Sequence, residues 1–256
     1  MPFTVAHAMA VLPGVRWHER LRLDPTCLVI GSMAPDFEYF ARGELVSTIS
    51  HTLVGIVAWN LPATLILAAL WHVLVKRPVL IVAPTGIARR VAPMIDRPWR
   101  ERWTGGAYAS VVISAVLGAF THLAWDGLTH ASGLAPRSIP ALTTVYDVPV
   151  VGPMALHRII QHASTVIGLA VIAIYVAAAL RRQPSRAWQP HPRRRRMRLV
   201  FAACLALGVA LMAYRLHRMH LVDPGSVISG TISGLLAGTL VASAVTWRQA
   251  QRQQTG

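Results

Sequence analysis

The chain reads as an all-α protein, a polytopic membrane bundle of about five transmembrane helices preceded by short interfacial or re-entrant helices. Three observations carry that reading. The 256 residues are 54% hydrophobic, and the mean hydropathy of +0.47 is too high for an ordinary soluble domain. Several apolar runs approach the ~20 residues that cross a bilayer. The net charge of +15 is nearly all arginine, gathered in two blocks that flank apolar runs. A strongly basic chain can also bind nucleic acid, but these charges lie where membrane topology puts them, and no nucleic-acid partner is expected.

The elements follow in order. Thr4 should cap a short helix that Pro13 stops. Residues 16–24 form a charged connector, and 26–40, interrupted by Gly31 and Pro35, is too short to span. Spans are expected at about 51–75, 107–125, 163–180, 199–216 and 227–247. Pro62 should bend the first span. Gly230, Gly234 and Gly238 form a ladder of small residues suited to close helix contact. Cys27 and Cys204 sit among aliphatic residues and read as small buried hydrophobes. No signal peptide is evident at the N-terminus. The expected organisation is a motif-bearing membrane domain at 1–180, a basic cytoplasmic linker at 181–198, a C-terminal helix pair at 199–247 and a tail at 248–256.

Charge counting sets an orientation. Lys76, Arg77, Arg89, Arg90, Arg97, Arg100 and Arg102 fill 76–103, and Arg181, Arg182, Arg186, Arg193, Arg194, Arg195, Arg196 and Arg198 fill 181–198. Both segments and the C-terminus therefore belong in the cytoplasm, leaving 1–50 and 126–162 on the outer side. One consequence bears on function. His51 opens the first span, His122 and Asp126 close the second and His162 opens the third, all at the outer level, with His7 and Asp36 on the same side. His72 falls at the opposite end.

The stretch GAFTHLAWDGLTHASG at 118–133 is the most informative. His122, Asp126 and His130 are spaced four apart and stack on one helix face, with Gly118 leaving room beside His122. A histidine and a carboxylate one turn apart can ligate one divalent ion. A carboxylate at the end of a span is costly unless paired or bound to metal. Each candidate has an ordinary alternative: a hydrogen-bonded core histidine for His7, a helix cap for Asp36, an interfacial anchor for His51, and a cross-bundle hydrogen bond for His162. His130 faces substrate or supports the ligands. His18, His191, His217 and His220 sit in basic or loop contexts.

Together, PFTVAH at 2–7, GSMAPDFEYF at 31–40, HT at 51–52, the 118–133 stretch and QHAST at 161–165 resemble the domain of unknown function 4184 family, multi-pass bacterial membrane proteins without an assigned activity. More distantly, the order of motifs is similar to membrane-bound metal-dependent hydrolases and zinc-dependent phospholipase C. That resemblance implies metal ligands at His7, Asp36, His51, His122 and Asp126. The chain lacks a second His-xxx-Glu pair, so the resemblance implies one or two ions, zinc or manganese, rather than three.

The expectation is a metal-dependent hydrolase of the bacterial inner membrane, its site on the outer side. Asp126 or Asp36 would orient a water, His130 or His162 would protonate the leaving oxygen, and Gln161 would stand behind them. Phospholipid is the expected substrate, from the depth of the site alone. The rival readings are a haem-binding redox protein, a scaffold whose polar cluster ties helices together, and a transporter, the last disfavoured by the absence of evident repeats. If His7 or Asp36 lay more than about 10 Å from His122 and Asp126, no ion pocket would exist.

Overall fold

The computed structural model describes residues 3–95, 106–184, 190–220 and 224–251. Among them, five helices are long and apolar enough to cross a membrane. Short helices and one two-stranded hairpin make up the other regular elements among the described residues. Arg97, Arg100, Arg102, Arg186 and the end of the tail lie outside the described residues. The chain divides into two compact units, one of 1–36, 48–65 and 105–178, the other of 37–47, 66–104 and 179–256.

In the first unit a 3-10 turn, Thr4–His7, leads into α1, Ala8–Arg16. Thr4 does not cap it through its side chain, and Pro13 sits inside α1 rather than ending it. Tertiary packing overrides the proline: Val11 is buried, and Gly14 lies so close to Leu28 that a Cβ there would come within 2.8 Å of its Cδ2. After α2, His18–Leu21, α3 runs from Pro25 to Gly31. Asp24 caps α3 by accepting from the Cys27 backbone N–H at 2.9 Å, a contact of about 1 kcal/mol. A second 3-10 turn, Ala34–Asp36, follows.

Gly31 and Gly118 fix how α3 meets the second span. A Cβ on Gly31 would lie 2.5 Å from the Ala115 carbonyl oxygen, and one on Gly118 would lie 2.7 Å from the Ser32 nitrogen. The backbones touch, and Cys27, Leu28, Ala115 and Ala119 are buried around the contact. Gly118 is therefore a packing device first, and the space it leaves is filled by α3.

The second unit begins with α4, Phe37–Arg42. The first span, α5, covers Leu53–Val82 and contributes to both units. Its prolines are absorbed by π-helical turns, Ile56–Asn60 just before Pro62 and Trp71–Val75 just before Pro78. A widened turn relieves the missing donor and ring clash that proline brings. Next comes an amphipathic helix, α6, Thr85–Ile95, which packs Ala88 and Ala92 on Leu80.

The second span, α7, Gly106–Thr129, closes the stripe of His122 and Asp126. Beyond it lie α8, Leu134–Ser138, and the hairpin of β1, Val145–Val148, and β2, Gly152–Ala155, which pair antiparallel with Val145 opposite Ala155. From the sequence, no element was assigned between the second and third spans. Val145, Tyr146 and Val148, residue types that favour strands, and Gly152, with φ of 90°, are the hairpin's signals in the chain. The hairpin returns the chain to α9, Leu156–Arg182, the third span, which starts about two turns earlier than the hydropathy suggested.

Two spans remain, α10, Arg194–Arg218, and α11, Pro224–Gln251. The glycine ladder is used as expected. Gly234 approaches Gly208 so closely that a Cβ would lie 2.5 Å from its carbonyl oxygen, and one on Gly238 would lie 2.6 Å from the Cys204 oxygen. The two cysteines form no disulfide; Cys27 is buried as expected, whereas Cys204 is half-buried.

Candidate metal centre

The site residues all belong to the first unit, and each is held by a local device. His122 is buried on α7, where its Nδ1–H donates to the Ser32 carbonyl at 2.8 Å. That bond fixes the tautomer and turns the Nε2 lone pair inward. The contact of Gly31 and Gly118 brings Ser32 within reach. His51 is presented by Thr52, whose side chain accepts from the Gly55 N–H at 2.9 Å and caps the first span. The Nδ1 of His51 meets the Ser50 hydroxyl at 2.9 Å, and the buried Asn60 amide, in the π-helical turn, donates to the Ser50 carbonyl at 2.8 Å. Residues 3–6 are pinned to α9 by the Phe3 N–H donating to Thr165 at 3.1 Å and by Gly168 against Ala6. His7 follows directly.

These elements bring the donors into one group. The Nε2 of His122 lies 3.5 Å from Asp36 Oδ1 and 3.3 Å from Asp126 Oδ2. The Nε2 of His51 lies 3.4 Å from Asp36 Oδ1 and 3.6 Å from Asp126 Oδ2. His7 Nε2 stands 3.6 Å from Asp126 Oδ1, and its ring stacks on His122 with centroids 3.7 Å apart. The first-segment residues thus sit well inside the ~10 Å limit for a shared pocket.

Those separations are diagnostic. They exceed the 2.7–3.2 Å of an N–H···O hydrogen bond. They match the ~3.3 Å between neighbouring ligand atoms around a tetrahedral ion with ~2.0 Å bonds. Both nitrogens of His7, both oxygens of Asp36, Nε2 of His122 and Oδ1 of Asp126 are buried and make no hydrogen bond among the described residues. Two buried carboxylates beside open imidazole lone pairs are expensive without a cation. Two donor triads, His7 with Asp36 and His122, and His51 with His122 and Asp126, each lie within 4.8 Å and could hold a metal ion. Asp36 caps no helix with its side chain, so the ordinary alternative for that residue is not used.

Charge states agree with ligation. Burial pushes the His7 imidazole down to about 3, with His122 alongside adding to the drop and Asp126 and Asp36 opposing it. His7 is therefore neutral at physiological pH, the form that binds metal.

Exposure is graded across the group. The side chains of His7, His122 and Asp36 are at most 1% exposed, Asp126 is 11%, His51 21% and His130 27%. The open side is therefore lined by Asp126, His51 and His130. His130 Nδ1 is 3.4 Å from Asp126 Oδ1 and 3.2 Å from the Asp126 carbonyl, while its Nε2 is 3.5 Å from the buried Gln161 amide. His162, expected beside them, is instead exposed, and the buried polar residues of α9 are His157, Gln161 and Ser164.

Sequence reasoning missed several supports. His157 is buried, its Nδ1 3.0 Å from the Leu142 carbonyl, and lies four residues before Gln161 on the same helix face. Ser32 acts through its backbone and left no signal. Asn60, a polar residue inside an apolar run, did.

Fold and site define a multi-pass helical membrane protein with a buried histidine and aspartate group able to bind a metal ion. The chain belongs to the family described as Domain of unknown function (DUF4184), whose model matches residues 1–244 and so covers the fourth span and most of the fifth as well. No curated protein and no solved structure matches it.

Proposed function

We propose that this protein is a metal-dependent hydrolase of the bacterial inner membrane acting on a lipid phosphoester from the outer side. The observation that carries the reading is the convergence of three imidazoles and two carboxylates at coordination spacing rather than hydrogen-bonding spacing. His7, His51, His122, Asp36 and Asp126 would hold the ion, with zinc favoured by the nitrogen-rich donor set and manganese the second choice. His122 has one lone pair to give, since its Nδ1 is committed to Ser32. The two triads meet at that atom, which favours a single ion drawing on both. A bound divalent ion would supply Lewis acidity and a water of pKa near ~7.

The chain's own groups supply the rest. Asp126 directs one oxygen to His51 and His122 and the other to His7 and His130. His130, on the open side, is placed to carry a proton, with Asp126 at one ring nitrogen and Gln161 at the other. His130 and His51 border the approach from the membrane surface, and the buried members exclude bulk water. The motif-bearing region at 1–180 would then be the catalytic domain.

The test is metal analysis of protein purified without chelator, together with phosphodiester hydrolysis in mixed micelles. Wild type should retain about one zinc or manganese per chain, and Asp126→Asn should lose both metal and turnover. His130→Gln should keep the metal and lose turnover. Wild type with under ~0.2 metal per chain would sink the reading in favour of a polar scaffold. A visible haem band would sink it in favour of redox chemistry.

A further inference from the structure

The second unit carries a strongly cationic end whose arginines fall into two groups. Three of them tie helix termini together. Arg90 donates to the Leu180 and Gln183 carbonyls at 3.0 and 3.1 Å, at the end of α9. Arg194 donates to the Ile81 carbonyl at 2.9 Å and to the Thr85 hydroxyl at 2.7 Å, and Arg198 to the Val82 carbonyl at 2.8 Å, at the end of α5. Guanidinium groups on the last carbonyls of a helix are a recognised C-terminal cap. These contacts place the ends of α5 and α9, the start of α10 and the helix α6 together.

The second group makes no such side-chain contact among the described residues. Arg89, Arg181, Arg182, Arg193, Arg195 and Arg196 are exposed. The described residues 76–95, 179–184 and 190–198 contain no aspartate or glutamate at all. Nor do the arginines of α10 stabilise their own helix. Its first turn has no acidic residue, and positive charge at a helix N-terminus opposes the macrodipole. Among the described residues this concentration of like charge meets no counter-charge, and beside the ends of apolar spans it attracts an external anion.

We propose that this face binds the headgroups of anionic phospholipids, with Arg193, Arg195 and Arg196 as its centre and Arg89, Arg181 and Arg182 around them. The occupant follows from position and charge: spans that end here put the guanidinium groups at headgroup depth, and planar guanidinium pairs bidentately with phosphate. The surface is independent of the metal centre, which belongs to the other unit.

The experiment uses the full chain reconstituted in bilayers of equimolar phosphatidylglycerol and phosphatidylethanolamine, with retained lipids identified by native mass spectrometry. Wild type should hold phosphatidylglycerol in clear excess, and Arg193→Gln/Arg195→Gln/Arg196→Gln should lower that excess by about tenfold or more, at roughly fivefold per arginine. If that variant does not fold, Arg181→Gln/Arg182→Gln should give a smaller loss in the same direction. Equal retention of the two lipids by wild type overturns the proposal. So does co-purification of nucleic acid with wild type that the triple variant loses. Metal content should be unchanged in every variant.

Discussion

The two units bury polarity in opposite ways. In the second, charge is paired at once: Glu38 lies between Arg42 at 2.8 Å and the Ser47 hydroxyl at 3.1 Å, and Lys76 donates to the Ile95 carbonyl at 2.9 Å. In the first, carboxylate oxygens are buried without a hydrogen bond, and imidazole lone pairs face them at distances too long to compensate. Desolvated polar groups that a fold leaves unmatched are held there at a cost of several kcal/mol. The second unit uses these charged residues to build itself, although the Ser243 and Thr246 hydroxyls there are also buried without a hydrogen bond among the described residues. The first buries a set of donor atoms that could hold a metal ion.

The sharpest way to break that contrast is His122→Ala, which removes the atom common to both donor triads. Metal affinity should fall by more than about 100-fold, since even supporting residues cost 10- to 100-fold; equilibrium dialysis against zinc reads this directly, and unchanged affinity would show that the unmatched atoms serve no ion. A pair of glycine substitutions sharpens it. Gly118→Ala and Gly234→Ala both press a Cβ into a neighbouring backbone, and each should cost about 1–3 kcal/mol of stability. Only Gly118→Ala should also release metal, because it moves Ser32 away from His122. Equal metal retention in the two variants would separate α3 packing from the site. Smaller still is Ser50→Ala, which leaves His51 Nδ1 without its 2.9 Å hydroxyl contact; about tenfold weaker zinc binding is expected.

What the sequence disclosed divides along physical lines. Spans were legible because twenty apolar residues are a demand of the bilayer itself, and the helix stripe of His122, Asp126 and His130 because a period of 3.6 needs no tertiary information. The topology count then placed His7, Asp36 and His51 at one depth, and the folded chain brings them within contact of that stripe. Depth is one coordinate only. It set His162 at the same level, yet the rotation of α9 turns Gln161 inward and leaves His162 exposed, and rotation depends on packing that hydropathy does not encode. Pro13 failed as a stop for a similar reason, since the burial of Val11 and the close packing of Gly14 on Leu28 of α3 outweigh local preference. The Ser32 carbonyl could not be found at all, because every residue has one and only the touching of α3 and α7 selects it.

The gentlest probe of the contrast is pH. His7 is held neutral by burial, its imidazole pushed down to about 3 from an ordinary 6.5. In the unfolded chain it takes up a proton as pH falls through ~6.5, whereas the folded form refuses one until about 3, so the unfolded state binds more protons across that window. Stability contributed by the neutral His7 is therefore fully present above pH 6.5 and declines progressively as the medium is acidified toward 3. Thermal denaturation of chelator-treated protein in detergent between those limits should show the midpoint falling with acid, and His7→Asn should flatten that slope. The paired charges of the second unit offer no corresponding group, so R193Q/R195Q/R196Q should follow the wild-type curve. An acid slope that His7→Asn leaves untouched would mean that the buried charges of the first unit, like the paired charges of the second, are satisfied after all.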